Sequence, residues 1–128
     1  MHIDRFEDLD IWKEARELCK QIHAITAKGG FARDYRFRDQ IAASSGSIMD
    51  NIAEGFERGG NKEFIQFLAI AKGSCGETHS QIYRACDFEY IDKETCDDLL
   101  AKTSNISKQI SGFMGYLKKS NYKGPKYR

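Results

Sequence analysis

The chain has 128 residues and a mass of 14.6 kDa, enough for one domain with its own core. Twenty Lys+Arg against nineteen Asp+Glu leave a formal charge of +1, and 41% of the residues are hydrophobic. One Pro and eleven Gly exclude a collagenous or Pro-rich disordered chain, and no apolar run approaches the roughly 20 residues that span a bilayer.

Met1 to Asp10 carries charge without an apolar centre, so no signal peptide is expected there. The expectation is a folded cytoplasmic domain with no membrane partner. Along the chain the dominant periodicity is helical. In the first segment Leu9, Trp12, Ala15, Leu18, Ile22 and Ile25 recur at three- and four-residue steps, with Asp8 as the N-cap and Gly29-Gly30 as the stop. The second starts near Asp34 and runs through Phe37, Ile41, Ile48, Ile52 and Phe56 to Gly59-Gly60. Asn61 caps the third, whose stripe is Phe64, Leu68, Ala71, Cys75, Thr78, Ile82 and Ala85. The fourth opens at Asp92, with Ile91 and Cys96 placed as a hydrophobic staple, and continues through Leu99, Thr103, Ile106, Ile110, Phe113 and Leu117.

No segment alternates with period two, so no strand is expected. Helices of about 20 to 28 residues, roughly 30 to 42 Å long, joined by short connections make sequential helices antiparallel neighbours. The predicted fold is all-α, an antiparallel up-down-up-down four-helix bundle over residues 1–117, followed by a basic, flexible tail at 118–128. Six consecutive small residues, Ala42 to Ser47, lie in the middle of the second helix, and Ala69, Ala71, Gly73, Ser74 and Gly76 form a similar stretch in the third. A helical Gly costs about 1 kcal/mol relative to Ala. Gly46, Gly55, Gly73 and Gly76 therefore predict close backbone approach, within the chain or between subunits, unless strong packing simply tolerates them.

Cys19, Cys75, Cys86 and Cys96 contain no CxxC pair and are expected to be reduced and structural. His2, His23 and His79 are scattered, so no metal or other cofactor is expected. Di-iron bundles use Glu-x-x-His pairs, and no Glu here is followed three residues later by His. Glu54 and Glu77 sit among small neighbours as a conceivable carboxylate pair, against the simpler reading that they accept hydrogen bonds from Asn51, Ser74 or a neighbouring subunit. Cys75 and His79 share a helix face, but no third orienting group accompanies them. The expectation is not an enzyme.

Charge is unevenly distributed. Residues 118–128 contain five cations and no acid, which leaves the bundle at −4. Tyr122 and Tyr127 interleave Lys118, Lys119, Lys123, Lys126 and Arg128, a composition suited to phosphate contacts and base stacking and equally to a solvated terminus. Arg33, Arg36 and Arg38 form a second cluster diluted by Asp34 and Asp39.

Asn51-Ile52-Ala53-Glu54-Gly55, with Gln40-Ile41 and Ser47-Ile48 ahead of it, resembles the signature of the four-helix-bundle proteins encoded in intervening sequences of bacterial 23S ribosomal RNA genes. Phe6-x-x-Leu9-x-x-Trp12 is similar to that family's first helix, and the run from Phe64 through Gly73, Ser74 and Glu77 to its third. The resemblance covers about residues 6 to 117. It implies a homo-oligomeric ring, a pentamer by preference, and no established activity. It also implies a distant similarity to the accessory protein of diversity-generating retroelements, which associates with nucleic acid and a reverse transcriptase. Ala42, Ala43 and Ser44 stand where that family carries basic residues, which argues against a basic surface on the second helix. Two function classes follow: a non-enzymatic self-assembling protein that binds RNA or a nucleoprotein through its basic tail or a ring surface, or a protein-binding oligomeric scaffold with no nucleic-acid contact.

Overall fold

The computed structural model describes residues 3–120. A 3-10 turn at Phe6–Asp8 leads into α1 (Asp10–Thr26), followed by α2 (Gly29–Arg33), α3 (Tyr35–Glu57), α4 (Asn61–Asp87) and α5 (Lys93–Lys119). The four long helices form the all-α bundle. Their pairing is antiparallel: Ser47 meets Ser74, Ser44 meets Thr78 and Gln40 meets Arg84, so contacts climb α4 as they descend α3. In the same way Asn61 meets Leu117, Phe64 meets Phe113 and Cys75 meets Thr103 between α4 and α5. α1 closes the bundle against α3 and, more lightly, against α5, where Glu14 accepts from Asn105 and Gln109.

The core is the one that the three-and-four spacing predicts. Leu18, Ile22, Ile41, Ile48, Ile52, Phe56, Phe64, Leu68, Ile82, Leu99 and Ile106 are all essentially sealed from solvent. Each is worth about 1.5–3 kcal/mol of burial. Among the described residues no helix is long and apolar enough to cross a membrane.

Helix ends follow the expected residues in two places and depart in three. Asp34 caps α3 through Phe37 N–H at 3.3 Å, and Asp92 caps α5 through Thr95 N–H at 2.8 Å. Asp8 instead belongs to the 3-10 turn, and Leu9 occupies the α1 cap without a side-chain bond. Phe6 and Trp12 meet edge to face at 5.1 Å across that turn, which makes an apolar lock the substitute for a polar cap. α1 ends at Thr26 with Ala27 as its C-cap, and Gly29, at φ +56°, instead starts α2, a helix the sequence did not announce. The extra turn buries Phe31 completely, against Phe37 and Tyr90. Asn61 is not the α4 cap either: Gly60 holds that place. The Asn61 amide donates to the carbonyls of Leu117 and Ser120 at 3.1 and 3.2 Å, satisfying the end of α5. α5 runs through Lys119, so Lys118 and Lys119 form its last turn. Tyr122, Lys123, Lys126, Tyr127 and Arg128 lie outside the described residues.

The cysteine expectation is corrected. Cys86 and Cys96 form a disulfide across the α4–α5 turn, with Cα atoms 6.0 Å apart, while Cys19 and Cys75 are free. The two are ten positions apart in sequence, and no spacing motif marks them; the bond depends on how the turn folds. Glu89 adopts the left-handed conformation at φ 59°, and Tyr90 N–H and Glu89 N–H return to the carbonyls of Ala85 and Cys86, both at 3.0 Å. This closure reverses the chain within a few residues and brings the first turn of α5 beside the last turn of α4. Cys96 is thereby joined to Cys86, and both line one pocket with Ile91. The same turn carries Tyr90 onto Phe31, and its hydroxyl donates to Asp34 at 2.8 Å. That hydrogen bond, then burial and the carboxylate charge, hold the Tyr90 phenol above its usual pKa.

Candidate functional site

The residues singled out in the sequence fall mostly on the α3–α4 seam. Ser47 and Asn51 are one turn apart on α3, so the Asn51 amide donates to the Ser47 carbonyl at 2.8 Å and to its hydroxyl at 2.9 Å. The Ser74 hydroxyl reaches across from α4 to Ser47 at 2.9 Å. One turn deeper, Ser44 meets Thr78 at 2.8 Å and donates to Gln81 at 2.6 Å, and all three are buried. Small polar residues let the two helices approach, and their hydroxyls partner one another in place of water. Ile52 packs in the core, and Ala53 is half-buried beside it.

Gly55 is the one glycine of the expected four that a close approach requires. A Cβ there would lie 2.7 Å from Phe67 Cβ and 2.9 Å from Phe64 Cδ1. At Gly46, Gly73 and Gly76 nothing lies within 4 Å of where a Cβ would stand, so close packing inside the chain does not explain them. They are open on the outer surface.

Glu54 and Glu77 do not pair within the chain. Glu54 is exposed and bonds Arg58 at 2.8 Å, one turn along its own helix. Glu77 accepts from Gln81 at 3.5 Å, which places it near the level of Ser44. Ten residues of α3, about 15 Å, separate that level from Glu54. Asn51 and Ser74, named as possible donors to these carboxylates, bond Ser47 instead. Among the described residues no group of three or more His, Cys, Asp or Glu is placed to hold a metal.

Cys75 and His79 share a face, as their spacing predicts, but both turn toward Thr103 of α5. The thiol donates to the Thr103 carbonyl at 3.2 Å, and His79 Nδ1 lies 2.5 Å from its hydroxyl. The Thr103 hydroxyl also reaches the carbonyls of Leu99 and Leu100 at 3.1 Å, and whether it donates to or accepts from Nδ1 follows the imidazole tautomer. Nε2 is therefore the nitrogen left for other contacts. Burial pushes the Cys75 thiol up to about 11, against a smaller lowering from the Ser107 backbone. A thiol so held is protonated at neutral pH and is no nucleophile.

The cationic candidates separate by position. Arg38 is tied down, lying 4.9 Å over the Tyr35 ring, pairing with Asp39 at 3.4 Å and donating to the Ala32 carbonyl at 3.1 Å. Arg33 and Arg36 are exposed. Of the proposed tail residues, Lys118 and Lys119 are exposed on the last turn of α5. The tail residues are part of a longer asymmetry that the motif reading missed. Seven of the twenty Lys+Arg lie after Asp98, and none of the nineteen acids does. Plotting acids along the chain, rather than cations, would have found it. Lys102, Lys108, Lys118 and Lys119 place this asymmetry on folded α5, where Lys102 pairs with Asp98 at 3.3 Å.

Comparison with known proteins adds a family. The model of the 23S rRNA-intervening sequence protein family matches residues 7–112. The chain is also similar to a solved protein of unknown function from the S23 ribosomal protein family of Bacteroides thetaiotaomicron. That likeness has a TM-score of 0.75 at 22% identity, over 82% of this chain and 95% of the other, and it shows the fold. No curated protein matches the chain.

Proposed function

The chain belongs to the 23S rRNA-intervening sequence protein family, and on that premise we propose that it is a non-enzymatic, self-assembling helical-bundle protein that binds RNA through its basic C-terminal segment. The observation that carries this reading is the charge asymmetry: every acid of the sequence precedes Leu99, and seven cations follow it. A segment of that kind attracts a phosphate backbone by counterion release, while the rest of the chain is net acidic and repels one.

Support for self-assembly comes from the outer face of the α3–α4 seam. The Ser47–Ser74 bond sets Gly46 and Gly73, each one residue away, at the same level of the seam, and both are open on the surface. Ala42 and Ala43 are exposed nearby on α3, and Ile70 is 52% exposed on α4. Small residues around an exposed aliphatic side chain suit packing against another copy, in the pentameric ring that the family resemblance implies.

Light scattering and RNA titration test the two halves separately. The expected mass is a multiple of 14.6 kDa, and a species of that mass alone refutes assembly. For RNA, a chain ending at Ser120 keeps the Asn61 cap; replacing Lys118 and Lys119 by Ala in it removes the remaining tail cations. Loss of most salt-dependent binding with the oligomer intact supports the proposal. If all five tail cations reach phosphates of one strand, log affinity falls with log salt at a slope of about −3.5, and several tails in a ring act together. An intact oligomer with no RNA affinity would instead favour the protein-binding scaffold.

A further inference from the structure

We propose that the open cleft between α4 and α5 around Lys108 seats a backbone phosphate of bound RNA, from which the strand follows the acid-free face of α5 toward Lys118 and Lys119. This inference rests on the RNA-binding reading and gives it a site on the folded body, apart from the terminal cations.

The cleft has a volume of about 280 Å³ and is lined by Gly76 and His79 from α4 and by Thr103, Ser104, Ser107 and Lys108 from α5, with Cys75 at its base. Its chemistry suits an anion. Ser104 and Ser107 offer hydroxyl donors, Lys108 an ammonium, and no carboxylate lines it. The Cys75 thiol spends its proton on the Thr103 carbonyl, and the Thr103 hydroxyl is engaged by Leu99, Leu100 and His79, so they form an inert floor. His79 is held by Thr103 through Nδ1, which leaves Nε2 as its remaining polar atom. Gly76 presents no side chain, and nothing lies within 4 Å of where a Cβ would stand. A phosphate can therefore approach the α4 backbone closely.

The surroundings favour a polyanion over a protein. Along α5 beyond the cleft, Ser111, Gly112, Tyr116, Lys118 and Lys119 are exposed. Lysines, serine hydroxyls and tyrosine are common phosphate and sugar contacts, and the 42% exposed Tyr116 ring offers a surface for an unpaired base. The neighbouring acids are directed elsewhere. Glu14 of α1 is bound by Asn105 and Gln109 on the opposite flank of α5, and Glu77 of α4 by Gln81 on the α3 side. Asp98 is paired with Lys102.

The test is fluorescence anisotropy of a labelled single-stranded oligoribonucleotide with the full chain at several salt concentrations. Lys108→Glu is expected to weaken binding by at least about tenfold and to make the salt slope shallower by about 0.7, the contribution of one phosphate contact on a single strand. Gly76→Gln fills the cleft without changing charge and is expected to weaken binding comparably. Lys13→Glu, an exposed α1 position with the same change of net charge, is expected to have less than about a twofold effect. Circular dichroism and light scattering confirm that each variant keeps its fold and assembly. Equal losses for Lys108→Glu and Lys13→Glu, or undiminished binding by Gly76→Gln, would overturn the cleft while leaving RNA binding in place. No affinity in the unaltered chain would overturn the RNA reading, and the cleft with it.

Discussion

Replacing Gly55 by Ala adds one methyl group at the tightest point between α3 and α4, 2.7 Å from Phe67 Cβ and 2.9 Å from Phe64 Cδ1. Neither neighbour yields readily. Phe67 Cβ is fixed to the α4 backbone, and the Phe64 ring is fully buried between Phe56 and Phe113. Helix propensity alone would favour Ala over Gly by about 1 kcal/mol. Overpacking a dense core costs about 1–3 kcal/mol, so the expected net effect is a loss of about 1 kcal/mol. The same substitution at Gly112 meets nothing within 4 Å and should realise the propensity gain, about 0.5–1 kcal/mol. The two variants should thus differ by about 2 kcal/mol, or about 6–10 °C in Tm for a chain of this size. Urea unfolding followed by circular dichroism, at one fixed protein concentration because assembly shifts apparent stability, measures the difference. Gly55→Ala proving as stable as Gly112→Ala would show that the helices are not in contact there.

Replacing both Cys86 and Cys96 by Ser opens a loop with a sequence separation of ten and should lower stability by about 3 kcal/mol on the chain-entropy account; four titratable thiols in the unreduced, denatured protein would show that the bond does not form. Because burial raises the Cys75 thiol from 9.0 to about 11, the folded state holds its proton where the unfolded state releases it. Its contribution is therefore full below pH 9 and lost as pH rises toward 11. Native alkylation at mildly alkaline pH should accordingly modify the part-exposed Cys19 well before Cys75, and equal rates would refute the burial argument. Asn61→Ala removes two hydrogen bonds from the end of α5 and should cost about 1–2 kcal/mol, with faster amide exchange confined to the last turn of that helix as the confirming signature.

The sequence by itself determined the four long helices and their core faces. Apolar residues at three- and four-residue steps can be buried together only on a helix, and short connections leave antiparallel packing as the way to cover four such stripes. Asp34 and Asp92 were legible as helix starts for a similar reason: a start residue acts within its own first turn, so its signal is local, and the structure makes both of them caps. What tertiary structure decided is whatever depends on residues far apart in the chain. Asn61 has the form of a cap but serves the far end of α5, because the bundle brings Leu117 to it. Cys86 and Cys96 are joined only because the left-handed Glu89 turns the chain back on itself. Gly46, Gly55 and Gly73 are indistinguishable by propensity, yet only Gly55 is crowded within the chain, since which face of a helix meets a neighbour is fixed by packing. Lys108, Ser104 and Ser107 belong to no motif; a cleft joins them to His79 and Gly76 because α4 and α5 pack in one register, set by their buried side chains.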